Sequence, residues 1–135
     1  MVDRSEDEQW DWVSGRHECK TFHVFKDLQT EIGEDVDVRN GQLSTRQKED
    51  YISFKLIPNS ETTFHVDRVG ANRFASVRFD CNDTTISVQT GKGQPLFDAK
   101  LTLNGAGQCR LKVNDSEVTH WQFRMKALED LFFNL

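Results

Sequence analysis

The sequence predicts an α+β fold: a single antiparallel meander sheet of about six strands, with one apolar face covered by an N-terminal and a C-terminal helix. Three observations lead there. Between residues 52 and 113, apolar and polar side chains alternate in six short runs broken by turn residues, the two-residue period of half-buried strands. Outside that region, apolar residues recur at three- and four-residue steps, the period of a helix with one buried face. A lone sheet with one apolar face must bury it against a second layer, and the two helices are the available cover. At 135 residues the chain is expected to be one domain, 1–135, large enough to build its own core. A rival layout curls the same strands into a small barrel or orthogonal sandwich plugged by the last helix.

Residues 1–8 are acidic and expected to be frayed. Ser5-Glu6-Asp7-Glu8 has the spacing of a capping box, so a short helix carrying Trp10 and Val13 is predicted, ending at Ser14-Gly15. A stronger helix is predicted from about His17 to Ile32. Its face is Cys19, Phe22, Phe25, Leu28 or Gln29, and Ile32, with Gly33 at the C-cap. Asn40-Gly41, after Asp35–Arg39, is the dipeptide of a type I′ turn and predicts a short hairpin. Arg46–Asp50 reads as a solvated connector.

The strands follow in order. Ile52, Phe54 and Leu56 alternate with Ser53 and Lys55, and Pro58-Asn59-Ser60 ends the run. Phe64 and Val66 form the second; Ala75, Val77, Phe79 and Cys81 the third; Ile86 and Val88 the fourth. Phe97, Ala99, Leu101 and Leu103 make the fifth, and Cys109, Leu111 and Val113 the sixth. Short connections favour pairing between successive strands. A closing helix is predicted from about Glu117 to Phe133, capped by Asp115 or Ser116, with the stripe Val118, Trp121, Met125, Leu128 and Phe132. Each buried Phe or Leu contributes about 1.5–3 kcal/mol, so burial between the layers is the expected main stabiliser.

The composition narrows the function. Net charge is −5, which argues against a general nucleic-acid surface and against docking on anionic membranes. The outward side of the strands carries Lys55, His65, Asp67, Arg78, Asp80 and Lys100 with few aromatics, so base stacking lacks its platform. No run of about 18 apolar residues predicts a membrane span, and Met1–Glu8 lacks the apolar stretch of a secretory signal. Three cysteines, Cys19, Cys81 and Cys109, are an odd number and predict a reduced, cytoplasmic protein.

Catalytic chemistry finds little footing, and no catalytic residue, cofactor or metal is assigned. Cys19 and His23 share a helical face, yet zinc needs further ligands that the spacing does not supply. Cys81 and Cys109 fall on the apolar side of their strands, where burial blocks a nucleophile. His120 near Asp115 and Ser116 reads as a capped helix start, and no nucleophile elbow occurs. Thr90–Pro95 lacks a phosphate-loop pattern and reads as a hairpin loop.

The expectation is therefore a non-catalytic cytoplasmic protein-interaction domain that binds a protein partner or itself, as a homo-oligomer. Trp10, Trp12, Phe132 and Phe133 are the expected interface residues, because large apolar groups dominate interface energies. The alternative is a small-molecule-binding domain, with an apolar cavity between sheet and C-terminal helix lined by Phe54, Phe64, Phe79, Phe97 and Trp121.

Overall fold

A computed structural model describes residues 12–43, 52–70 and 74–134. Two helices come first, α1 (Trp12–Glu18) and α2 (Thr21–Gln42). Seven strands follow: β1 (Ser53–Ser60), β2 (Thr63–Val69), β3 (Ala75–Cys81), β4 (Thr85–Thr90), β5 (Pro95–Leu103), β6 (Cys109–Val113) and β7 (Ser116–Val118). Helix α3 (His120–Phe133) closes the described chain. The sheet is an antiparallel meander in the order β1 to β7, with β1 and β7 as its edges. Helix α2 packs on β1, β3 and β4, and α3 packs on β3 and beside α2. The predicted two-layer α+β fold is the observed one.

Alternation sets the register. Phe64 stands opposite Phe79, Val66 opposite Val77, Val88 opposite Phe97, and Leu101 opposite Leu111, so one side of the sheet is apolar throughout. Aromatic rings continue that surface into the helices. Phe25 lies 5.0 Å from Phe64, which stacks on Phe79 at 4.7 Å. Phe123 of α3 meets Phe97 edge-on at 5.3 Å and Phe132 meets Phe54 at 4.9 Å. Such pairs add about 0.5–1.5 kcal/mol each beyond the area they bury. Both prolines sit where a strand tolerates them: Pro58 on edge strand β1 beside a bulge, Pro95 as the first residue of β5.

Helix α2 corrects the predicted break at Gly33 and the predicted hairpin at Asn40-Gly41, because it runs through both. Its buried face continues from Phe25, Leu28 and Ile32 to Val36 and Arg39. An interior glycine costs about 1 kcal/mol relative to alanine, less than the burial of Val36 returns. Asn40 does not turn the chain. Its side-chain amide accepts from the N–H of Phe54 and donates to that residue's carbonyl, both at 2.9 Å. One side chain thereby pairs with the backbone of edge strand β1, an exposure natural sheets shield. Helix α1 likewise runs past Gly15. The Ser5 capping box and the Arg46–Asp50 connector lie outside the described residues.

The last helix starts later than predicted. Asn114 and Asp115 both have positive φ, 49° and 66°, and turn the chain into β7, whose Ser116 pairs with Val113. The cap is Thr119, in a capping box with Gln122, and not Asp115 or Ser116. The buried stripe is also rotated. Phe123, Ala127, Leu128, Leu131 and Phe132 face the core, whereas Trp121 and Met125 stand in solvent.

The cysteine reading is corrected as well. Cys19 and Cys109 form a disulfide, leaving Cys81 as the free thiol. Cys109 begins β6 on its exposed end, where it meets the segment between α1 and α2. No helix among the described residues is long and apolar enough to cross a membrane.

Candidate functional site

Two stripes of apolar residues run along α3, and the core can use only one. The ring of Phe123 fits between Phe79 and Phe97, which turns Trp121 and Met125 outward beside the C-terminal half of α2. There they meet Val38 and Phe133. These four side chains border an interhelical groove of about 450 Å³. Trp121 is 55% exposed and Phe133 61%, so the floor is apolar and wet, an arrangement that soluble domains rarely leave without a purpose.

The charged groups around the groove are ordered. Glu31 accepts hydrogen bonds from His120 Nδ1 at 2.7 Å and Arg124 Nη1 at 3.1 Å, and Arg124 Nε donates to Asp35 at 2.7 Å. This network locks α3 against α2. Its members are partly exposed, so its value is in fixing the helix pair more than in net stability. Arg39 is only 8% exposed and has no carboxylate partner among the described residues. Its Nε donates to the Phe132 carbonyl at 2.9 Å, and its guanidinium lies over the Phe133 ring at 4.5 Å. The C-terminal dipole of α3 and the ring face supply the compensation that a counter-ion would give. Arg68 donates to the Leu131 and Asn134 carbonyls, so two arginines close the end of α3.

The expected site residues fall into three groups. Trp10 lies outside the described residues. Trp12 and Phe133 are exposed, on α1 and at the end of α3. Phe132 is a core residue against Phe54, because its neighbour Phe133 takes the outward direction. Of the residues named for an internal cavity, Phe54, Phe64 and Phe79 are buried in ring-to-ring contact and Phe97 packs on Phe123. Rings occupy the space between the layers at these positions, and Trp121 lines the outer groove. Cys19 spends its sulfur on Cys109 and has none for a metal beside His23. Among the described residues no three His, Cys, Asp or Glu side chains converge.

Val38 and Met125 were missed as site residues. Val38 read as a strand residue, and Met125 was assigned to the core stripe. The available signal was the double stripe of α3, since one helix face cannot bury Trp121, Phe123, Met125 and Ala127 together. The pairing of His120 with Glu31, 89 residues apart, left no local trace.

Against known proteins, the chain matches no family model, no curated protein and no solved structure.

Proposed function

We propose that this chain is a non-catalytic protein-interaction domain that self-associates through the groove between α2 and α3. The observation behind it is the set of four exposed apolar side chains, Val38, Trp121, Met125 and Phe133, on two helices braced by the Glu31–Arg124–Asp35 network. The occupant is a second copy. A two-fold axis brings the same patch of each copy together, so the four apolar side chains of one groove meet those of the other and cover one another. Trp121 and Phe133 are of the residue types and the size that anchor interfaces.

The setting follows from the sulfur chemistry. The Cys19–Cys109 disulfide supports an oxidising compartment in place of the cytoplasm expected from the cysteine count, because reducing compartments keep such pairs open. The alternative, a small molecule held between sheet and helix, has no supporting observation at Phe54, Phe64 and Phe79, whose rings pack on one another and on the helices.

Phe133→Asp is the test, since Phe133 is exposed and the introduced carboxylate can take over from the ring in compensating Arg39. In light scattering, the wild-type chain should show a mass near twice the 15.6 kDa protomer, and the variant should fall to a single protomer. A wild-type monomer, or a variant of unchanged mass, removes the proposal.

A further inference from the structure

The side of the sheet away from the helices holds a second feature. Asp67 points to this hydrated face by strand parity, yet it is only 7% exposed. Its Oδ2 lies 3.3 Å from His65 Nε2, while its Oδ1 is buried and has no hydrogen-bond donor. Lys55, opposite in register on β1, forms no ion pair with it among the described residues. A buried carboxylate oxygen left without a donor is costly. Asp67 lines a cleft of about 340 Å³ with His65, Ser76, Arg78, Gly91 and Phe74.

The groups around the cleft are arranged by charge. His65 is held from its other side by Asn59 at 2.7 Å. Arg78, the register partner of His65 on β3, donates through Nε to Asp80. Its two Nη nitrogens make no hydrogen bond among the described residues. Asp67 and Arg78 are diagonal neighbours across two antiparallel strands, about 7–8 Å apart at the backbone. The Phe74 ring is 69% exposed at the rim. Gly91 also lines the cleft and donates its N–H to the Ser76 carbonyl at 2.9 Å. A Cβ at Gly91 would come within 2.0 Å of Ser76 Oγ, so a larger residue there must push that hydroxyl aside.

We propose that this cleft binds a small zwitterion of the α-amino-acid type. Its ammonium donates to the carboxylate of Asp67, its carboxylate accepts from the free guanidinium nitrogens of Arg78, and its side chain lies against Phe74. A cation alone would leave Arg78 unused, and an anion alone would meet the Asp67 charge. The site is on the opposite side of the sheet from the α2–α3 groove and is independent of self-association.

The test is an NMR titration of the full chain with L-phenylalanine, N-acetyl-L-phenylalanine and L-phenylalanine methyl ester. L-Phenylalanine should give saturable shifts at the His65, Asp67 and Arg78 amides, with a Kd of about 1 mM or tighter. The two blocked probes should each bind about 10-fold or more weakly, as should Asp67→Asn and Arg78→Gln, since each lacks a charge-assisted hydrogen bond. Should Asp67→Asn fail to fold, Arg78→Gln, at an exposed position, decides alone. Phe133→Asp should bind like the wild type, which separates this proposal from the fate of the groove. No saturable shift, equal binding of the acetylated probe, undiminished affinity in Arg78→Gln, or shifts confined to α2 and α3 would each overturn it.

Discussion

Cys81 closes β3, half-buried and outside the disulfide. Burial raises its thiol pKa; Lys26 opposes that shift, and the carboxylates of Asp80 and Asp83 add to it. A raised folded-state pKa means the folded chain holds the proton more tightly than the unfolded one. The associated stability is complete below the unfolded thiol's pKa and is lost as pH rises through the folded value. Alkylation follows the thiolate. With the other two cysteines joined, iodoacetamide should therefore modify one thiol per native chain, with a pH midpoint above the ordinary thiol value of about 8.5. Mass spectrometry across a pH series reads both quantities, and a midpoint at or below the ordinary value would contradict the burial of this group.

Helices and strands differ in how legible they were. Each of the six expected strands is present, because a two-residue period is tested afresh at every residue and a slip would expose a whole face. The hairpin that adds β7 was legible only through Asn114-Asp115, two residues suited to positive φ. Asp115 reads, in the sequence, as a candidate helix cap instead. Thr119 and Gln122 had the spacing of the true capping box. Gly33 and Asn40-Gly41 misled for a common reason: local propensity marks a stop, while the stripe through Val36 and Arg39 continues at helical spacing and tertiary burial prevails. The candidate groove was half legible. Phe133 and Trp121 were marked as large apolar residues, but which stripe of α3 faces outward depends on where Phe123 fits against β3 and β5. Because α2 is continuous, Gly33 is an interior glycine with open space around the position of a Cβ. Gly33→Ala should then stabilise the chain by about 0.5–1 kcal/mol, a rise of a few degrees in Tm by circular dichroism. A helix that stopped at Gly33 in a left-handed cap would instead lose stability on the same exchange.

At the scale of the whole molecule, the outermost elements are tied to the middle of the chain by side-chain hydrogen bonds and by one covalent bond among the described residues. Asn40 joins the end of α2 to β1, and Arg68 joins β2 to the end of α3. The disulfide joins the segment between α1 and α2 to the start of β6 across a separation of 90 residues. The last is of a different order from the hydrogen-bonded ties. Chain-entropy arguments give a covalent loop of that length about 4–5 kcal/mol, against about 1 kcal/mol for an ordinary hydrogen bond. Small domains have a total stability of about 5–15 kcal/mol, so the bond holds a large share of it. The double variant Cys19→Ser, Cys109→Ser should lower the free energy of urea unfolding by about 3–5 kcal/mol and move the midpoint to lower denaturant. The variant also exposes more chain on unfolding, because the cross-link no longer compacts the denatured state, so its m-value should rise. An unchanged midpoint would mean that the two cysteines are not joined in the folded chain. In that event the oxidising setting inferred from them would fall, while the helix-covered sheet, held by its row of phenylalanine rings, would stand.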